Sequence, residues 1–305
     1  MNTDLATTNL MLQTERAAIE LVTNSLTSEH SKRAYGKALT DFFAWLEANR
    51  KPFIKATVQE YKQTLTGSPA SINLKMSAIR KLATEAADNG LIDSTIASGI
   101  QHVTGVAAHG VRAGNWLTKQ QAQNLLLAPD TSTLKGLRDR AILAVMIGGG
   151  LRRSEVAKLA FAHVQQRDGR WTIVDLVGKG NHVRTVPIPS WVKLAIDEWA
   201  NTAGITTSGL VFCAVHKGGY IKHESMTPQA IRDVVKEYGA QTGLPELAAH
   251  DLRRTFAKLA HKGGAGLDQI QLSLGHLSIK TTEKYLGVSQ NLTDAPCDHL
   301  GLALE

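Results

Sequence analysis

The chain is poor in cysteine. Cys213 and Cys297 are the two among 305 residues, far apart and without the neighbours of a CxxC redox motif or a cysteine-based metal site. Both are expected to be free thiols in a reducing compartment. Long apolar runs are missing as well: the most apolar stretch, Ala141 to Ile147, covers seven residues, against the ~20 needed to cross a bilayer. No basic, apolar, small-residue progression opens the chain, so a cytoplasmic location without membrane association is expected. A GxxxxGK[ST] loop is absent and no carboxylate cluster or His/Cys set has ligand spacing, so neither nucleotide hydrolysis nor a metal is indicated and no cofactor is expected.

What is present is a surplus of positive charge. Lys and Arg total 34 against 27 Asp and Glu, a net charge of +7 that favours polyanionic partners. Residues 1–104 hold 11 basic and 10 acidic side chains, leaving 23 and 17 for the remainder. The excess therefore lies mainly in the C-terminal part.

Hydrophobic periodicity divides the chain in the same place. From Ser31, the residues Tyr35, Leu39, Phe42, Phe43 and Leu46 recur at helical spacing, with Lys32, Arg33 and Lys37 at other positions of the same turns. Thr57 and Glu60 form a capping-box pattern for a second helix, and Ile72, Met76, Ile79, Ala83 and Ala86 mark a third that ends near Asn89-Gly90. A helical domain over residues 10–104 follows. Residues 105–115 contain three glycines and no periodicity and are expected to be a linker before a helix near Thr118. In the second domain, residues 116–305, Leu137 to Ile147 predicts a helix buried on most sides and broken by Gly148-Gly149-Gly150. Trp171 to Val177 and Val183 to Ile188 predict a hairpin with a basic tip, Gly178-Lys179-Gly180-Asn181-His182. From Trp191 onward the pattern is helical. The fold class is thus mixed and mainly α, with a small antiparallel sheet in the second domain.

Four separated segments carry candidate chemistry: Gly150-Leu151-Arg152-Arg153-Ser154-Glu155, the Lys179 hairpin, His250-Asp251-Leu252-Arg253, and Leu274-Gly275-His276 with Tyr285 nine residues on. Arg152 follows a glycine break at a helix start, where side chain and free backbone N–H groups face an anion together. His250 and Arg253, three apart, share a helix face. Each segment alone also fits an ordinary structural role.

In this order and spacing, the four segments resemble the tyrosine recombinase family, the phage integrases and chromosome-dimer resolvases, across essentially the whole chain. The resemblance implies that Arg152 and Arg253 are the paired arginines, Lys179 the mobile lysine, His250 and His276 the histidines and Tyr285 the nucleophile, with Glu155 in support. Phosphoryl transfer concentrates negative charge on non-bridging oxygens, and two guanidinium forks bind those oxygens with charge-assisted bonds. A free tyrosine, with a pKa near ~10, needs cationic neighbours or a base to attack at neutral pH. His250 is the candidate base, Lys179 the candidate acid for the leaving 5′ oxygen, and His276 a donor to a phosphate oxygen.

The resemblance implies a site-specific DNA recombinase working through a 3′-phosphotyrosine, its helical core-binding domain and catalytic domain clamping duplex DNA. The basic residues Lys32, Arg33, Lys37, Lys75, Arg80 and Lys81 are candidates for phosphate neutralisation. The family likeness further implies a homotetramer on synapsed recombination sites and a monomer when free. Two other readings remain open, a type IB topoisomerase and a non-catalytic DNA-binding protein on the same fold. Two departures stand out. Gly149 replaces a residue that is often threonine, which is expected to loosen the Arg152 loop. About twenty residues, including Pro296, follow Tyr285, so a long C-terminal helix docking on a neighbour is not expected.

Overall fold

The computed structural model describes residues 15–107, 115–178, 182–205, 208–216 and 218–287. Lys179 and the segment after Gly287 lie outside them. The chain divides into two compact units, Met1–Val111 and Arg112–Glu305, each described by itself below.

The first unit is helical throughout its described residues: α1 Glu15–Asn24, α2 Glu29–Asn49, α3 Lys55–Thr64, α4 Pro69–Asp88 and α5 Ser94–Gln101. Ser28 starts α2 by accepting from the Ser31 N–H, and Ser68 with Pro69 does the same for α4. Leu39, Phe42, Leu46, Val58, Met76 and Ile79 are buried in one core, each contributing roughly 1.5–3 kcal/mol of transfer free energy. The Phe42 ring packs on Tyr61 at 4.9 Å and Phe53 at 5.7 Å. The expected capping box at Thr57 is not formed. Ile54 precedes the first turn of α3 and Thr57 is buried inside the helix, because the apolar register of Val58 and Tyr61 draws that turn into the core. The expected linker also begins later than its composition implies: the Asn73 side chain both donates to and accepts from the Val106 backbone, at 2.9 and 2.8 Å. Residues 108–114 are outside the described set.

The second unit is built around α7 (Leu134–Gly148), which follows α6 (Lys119–Leu127). Thr118 and Gln121 close a capping box at the start of α6. Every residue from Ala141 to Gly148 is buried, as the unbroken apolar run requires. After the short helix α8 (Arg153–Val156), strands β1 (Val164–Arg167), β2 (Arg170–Val177) and β3 (Val183–Pro187) form an antiparallel sheet in the order β1-β2-β3. A bulge between Ile173 and Leu176, with Asp175 at φ +55, twists β2 on its way to the hairpin tip. Next come α9 (Ser190–Thr202), a second hairpin of β4 (Cys213–Val215) and β5 (Ile221–Ser225), then α10 (Pro228–Gln241), α11 (Ala249–Lys262), α12 (Leu267–Leu274) and α13 (Ile279–Leu286). The β4–β5 hairpin corrects the expectation of helix from Trp191 onward. Its strands have three and five residues, too short for alternation to register against flanking helices.

Two apolar clusters hold this unit together. The large one gathers Ile142, Val145, Leu151, Ile173, Trp199, Phe212 and Leu252. The small one, Ala257, Ile270, Leu274 and Leu286, has Phe256 and Tyr285 packed against it and fastens α12 and α13 onto α11. Gly149 has no unusual conformation, with φ −111 and ψ −9. A Cβ there would stand 2.9 Å from Leu151 Cδ1 and 3.0 Å from the Val145 carbonyl, so close packing accounts for this glycine. Gly150 is different: its φ is +62 and a Cβ would lie 2.6 Å from the Phe256 ring.

Candidate active site

Glu155 organises the basic end of the site. Its carboxylate reaches back over the first turn of α8 to accept the Arg152 backbone N–H at 2.8 Å, and accepts Arg152 Nη1 at 2.8 Å on the other oxygen. Arg184, from β3, approaches the same carboxylate with both Nη atoms, each at 2.8 Å. Burial alone would raise the Glu155 pKa, but the Arg184 fork, the Arg152 N–H and the Arg152 side chain bring it down to about 2. The carboxylate is therefore charged and occupied on both oxygens.

The same guanidiniums converge on the C-terminus of α12. Arg184 Nε donates to the Ser273 carbonyl at 2.8 Å, Arg152 Nη2 to the Leu274 carbonyl at 3.4 Å, and Arg253 also donates to Leu274. Arg253 Nη1 further donates to the Gly150 carbonyl at 2.6 Å. A helix C-terminus exposes unpaired carbonyls and partial negative charge, which three cations here satisfy. Gly275 then ends α12 in the left-handed region at φ +61, where a Cβ would stand 2.9 Å from Arg184 Cδ. The Leu-Gly-His segment is thus shaped by Arg184. Burial, Arg152 and Arg184 lower the Arg253 pKa to about 9, which leaves it charged at neutral pH.

Beyond Gly275, His276 Nδ1 lies 3.0 Å from the Thr282 hydroxyl. If that hydroxyl donates, the ring proton sits on Nε2. Burial, then Arg253 and Arg152, lower the His276 pKa to about 4, and burial with Arg254 and Arg253 lowers that of His250 from 6.5. Both rings are neutral at pH 7. They flank the Tyr285 ring edge-on, with centroids 5.5 Å away for His250 and 5.3 Å for His276. Among the described residues the Tyr285 hydroxyl makes one long contact, donating to the His250 carbonyl at 3.5 Å. Burial raises its pKa above 10 while Arg253 and Arg254 pull it down.

Five sequence-predicted residues, Arg152, His250, Arg253, His276 and Tyr285, thus meet at one place. Lys179 lies outside the described residues, but the neighbouring Gly178 is described: a Cβ on it would stand 3.6 Å from Arg152 Nη1. Beside the arginines is a cavity of about 380 Å³ lined by Arg152, Arg153, Arg232, His250 and Arg253, with no carboxylate on its wall among the described residues. Such a wall concentrates positive potential and suits a phosphate. The sequence reading missed Arg184, Arg232 and Thr282. Arg184 is one basic residue in a strand and matches no motif, so only its place beside the hairpin hinted at it.

A profile of the phage integrase family matches residues 115–291. Tyrosine recombinase XerC of Pelobacter propionicus is 30% identical over 92% of this chain and 92% of its own length. The chain belongs to the phage integrase family. Tyrosine recombinase XerD of Neisseria meningitidis serogroup B is 34% identical, but the match covers 57% of this chain and 58% of that relative. Among solved structures, the XerH site-specific recombinase bound to palindromic difH substrate in a post-cleavage complex aligns with a TM-score of 0.73 at 19% identity, over 93% of this chain and 94% of that one. A lambda integrase dimer bound to a COC′ core site aligns at 0.64 and 15%, over 90% and 76%. These alignments bear out the mixed, mainly helical fold expected from the sequence. No helix among the described residues is long and apolar enough to cross a membrane.

In the first unit, four of the basic residues singled out from the sequence are paired internally. Lys32 meets Glu29 at 2.8 Å, Lys37 and Lys75 meet Asp41 at 3.2 and 3.3 Å, and Lys81 meets Glu85 at 2.6 Å. Partly exposed pairs of this kind contribute little to stability.

Proposed function

We propose that the chain is a site-specific DNA recombinase that cleaves and rejoins duplex DNA through a 3′-phosphotyrosine on Tyr285. The observation that carries this reading is the placing of Tyr285 between the rings of His250 and His276, next to a cavity lined by Arg152, His250 and Arg253. Arg152 and Arg253 bind the non-bridging oxygens of the scissile phosphate, where charge grows in the transition state. His250 accepts the Tyr285 proton as the phenolic oxygen attacks phosphorus. The bond to the 5′ oxygen breaks and Lys179 protonates that oxygen. His276 donates from Nε2 to a phosphate oxygen. One phosphodiester replaces another, so an incoming 5′ hydroxyl reverses the step and joins a new strand.

The helical unit contributes phosphate contacts from its basic residues, and exchange takes place in a homotetramer that assembles on two duplexes from free monomers. The reaction needs neither a divalent metal nor a nucleotide, since guanidiniums supply the charge a metal would bring. The test is adduct formation on a duplex recovered from a random-sequence pool by binding to the full chain. The wild type is expected to give a denaturation-resistant protein–DNA band and Tyr285→Phe none, with DNA affinity unchanged. An equal band from Tyr285→Phe contradicts the assignment. Relaxation of supercoils without any strand exchange between sites contradicts the recombinase outcome.

A further inference from the structure

Arg254 is adjacent to Arg253 but does a different job. One residue further along α11 rotates it away from the Gly150 and Leu274 carbonyls, and it does not line the arginine cavity. Its guanidinium carbon instead lies 5.0 Å from the centre of the Tyr285 ring. Asp251 holds it there through an ion pair of 3.5 Å, while the other Asp251 oxygen accepts the Ala248 N–H at 3.0 Å and caps α11. The guanidinium is therefore tied to a helix end and placed on the nucleophile's π face.

We propose that Arg254 is a positioning residue for the nucleophile: lying across the Tyr285 ring, it fixes the ring in the cleft and stabilises the phenolate that attacks phosphorus. This rests on Tyr285 being the nucleophile. A cation on an aromatic face is attracted to the ring, and more strongly once the ring carries negative charge. The need is local, since burial raises the Tyr285 pKa and, among the described residues, its hydroxyl makes one long contact, with a backbone carbonyl. Other groups face this ring too. From α11 come His250, Asp251 and Arg253, with Lys258 one turn on donating to the Leu286 carbonyl; from the turn before α13 comes His276; from the start of α8 comes Arg152. Arg253 and Arg152 are engaged with carbonyls and Glu155, and a bound phosphate claims them further. Among these cations, Arg254 is the one stacked on the ring.

The experiment measures single-turnover cleavage against pH for the full chain on the pool-selected duplex, nicked so that the released fragment departs. Arg254→Gln should slow cleavage on the order of tenfold at pH 7, and its loss should shrink as pH rises because the rate limb moves up by about one unit. Arg254→Lys should recover part of the rate, and a trifluorotyrosine at position 285, with its more acidic phenol, should restore much of the Arg254→Gln rate at pH 7. DNA affinity should stay within about twofold. Superimposable profiles for wild type and Arg254→Gln overturn the inference. So does a pH-independent loss that follows DNA affinity, which marks a phosphate contact, or one that follows the unfolding temperature, which marks a structural brace. A wild type that forms no adduct overturns the nucleophile assignment itself and this inference with it.

Discussion

The two halves of the candidate site are held in unlike ways. The arginine half is over-determined: Glu155 receives four bonds, Arg184 donates three, and Arg253 is buried against two carbonyls. The tyrosine half rests on a cluster of four buried apolar residues, and among the described residues the Tyr285 hydroxyl makes one hydrogen bond, of 3.5 Å. In the proposed mechanism the charge-stabilising frame is thus built before substrate arrives, while the proposed nucleophile, Tyr285, is carried on α13 mainly by apolar packing. Preorganised charge needs no reorganisation at the moment of reaction. An attacking oxygen must instead move toward phosphorus and later away from it.

The largest effect should come from the frame. Arg253→Ala is expected to slow cleavage on the order of 10³-fold or more, and Arg253→Lys should recover little of it, because an ammonium lacks the fork that reaches Gly150, Leu274 and a phosphate together. Single-turnover cleavage at saturating protein checks both; substantial recovery by lysine would show that charge alone suffices.

The frame should also show in stability. Glu155 has a folded pKa of about 2 against an ordinary 4.5. A depressed carboxylate pKa contributes stability that is fully present above the ordinary value and disappears as pH falls through the folded one. Glu155→Gln should therefore lower the unfolding free energy of the second unit by about 3 kcal/mol at pH 7. The gap should close as pH falls from 4.5 toward 2. Denaturant unfolding of both proteins across that range reads it, and a pH-independent gap would mean that lost packing, rather than charge, dominates.

A smaller, local effect is expected on the tyrosine side. Leu286→Ala removes a buried side chain of the small cluster and should cost about 2–3 kcal/mol in the local opening of α13. Amide exchange should speed up in α12 and α13 with little change in α7. Equal acceleration throughout the second unit would show that the two halves unfold as one.

The sequence made the tyrosine half legible and the frame only partly so. The family resemblance carried by the four motifs brought Arg152, His250, Arg253, His276 and Tyr285 to notice, and the structure places them together. Arg184 escaped because its role depends on strand β3 crossing the C-terminus of α12, a contact 89 residues away in sequence. The large elements were visible because α2, α4 and α7 bury long periodic or continuous apolar faces. The β4–β5 hairpin and the true start of α3 were not, since in both a few residues answer to tertiary packing instead of a local signal. Gly149 showed the same limit: its cause is the nearness of Leu151 and Val145, which no local pattern records.

The most direct test of the central claim is to identify the atom that joins protein to DNA. Wild-type adduct formed in EDTA on the pool-selected duplex would be digested with protease and nuclease and mapped by mass spectrometry. The expected result is a nucleotide 3′ phosphate on Tyr285 together with a free 5′ hydroxyl on the other fragment. Linkage through another residue, a 5′ phosphate on the protein, or an adduct that appears only after divalent metal is restored would contradict the account.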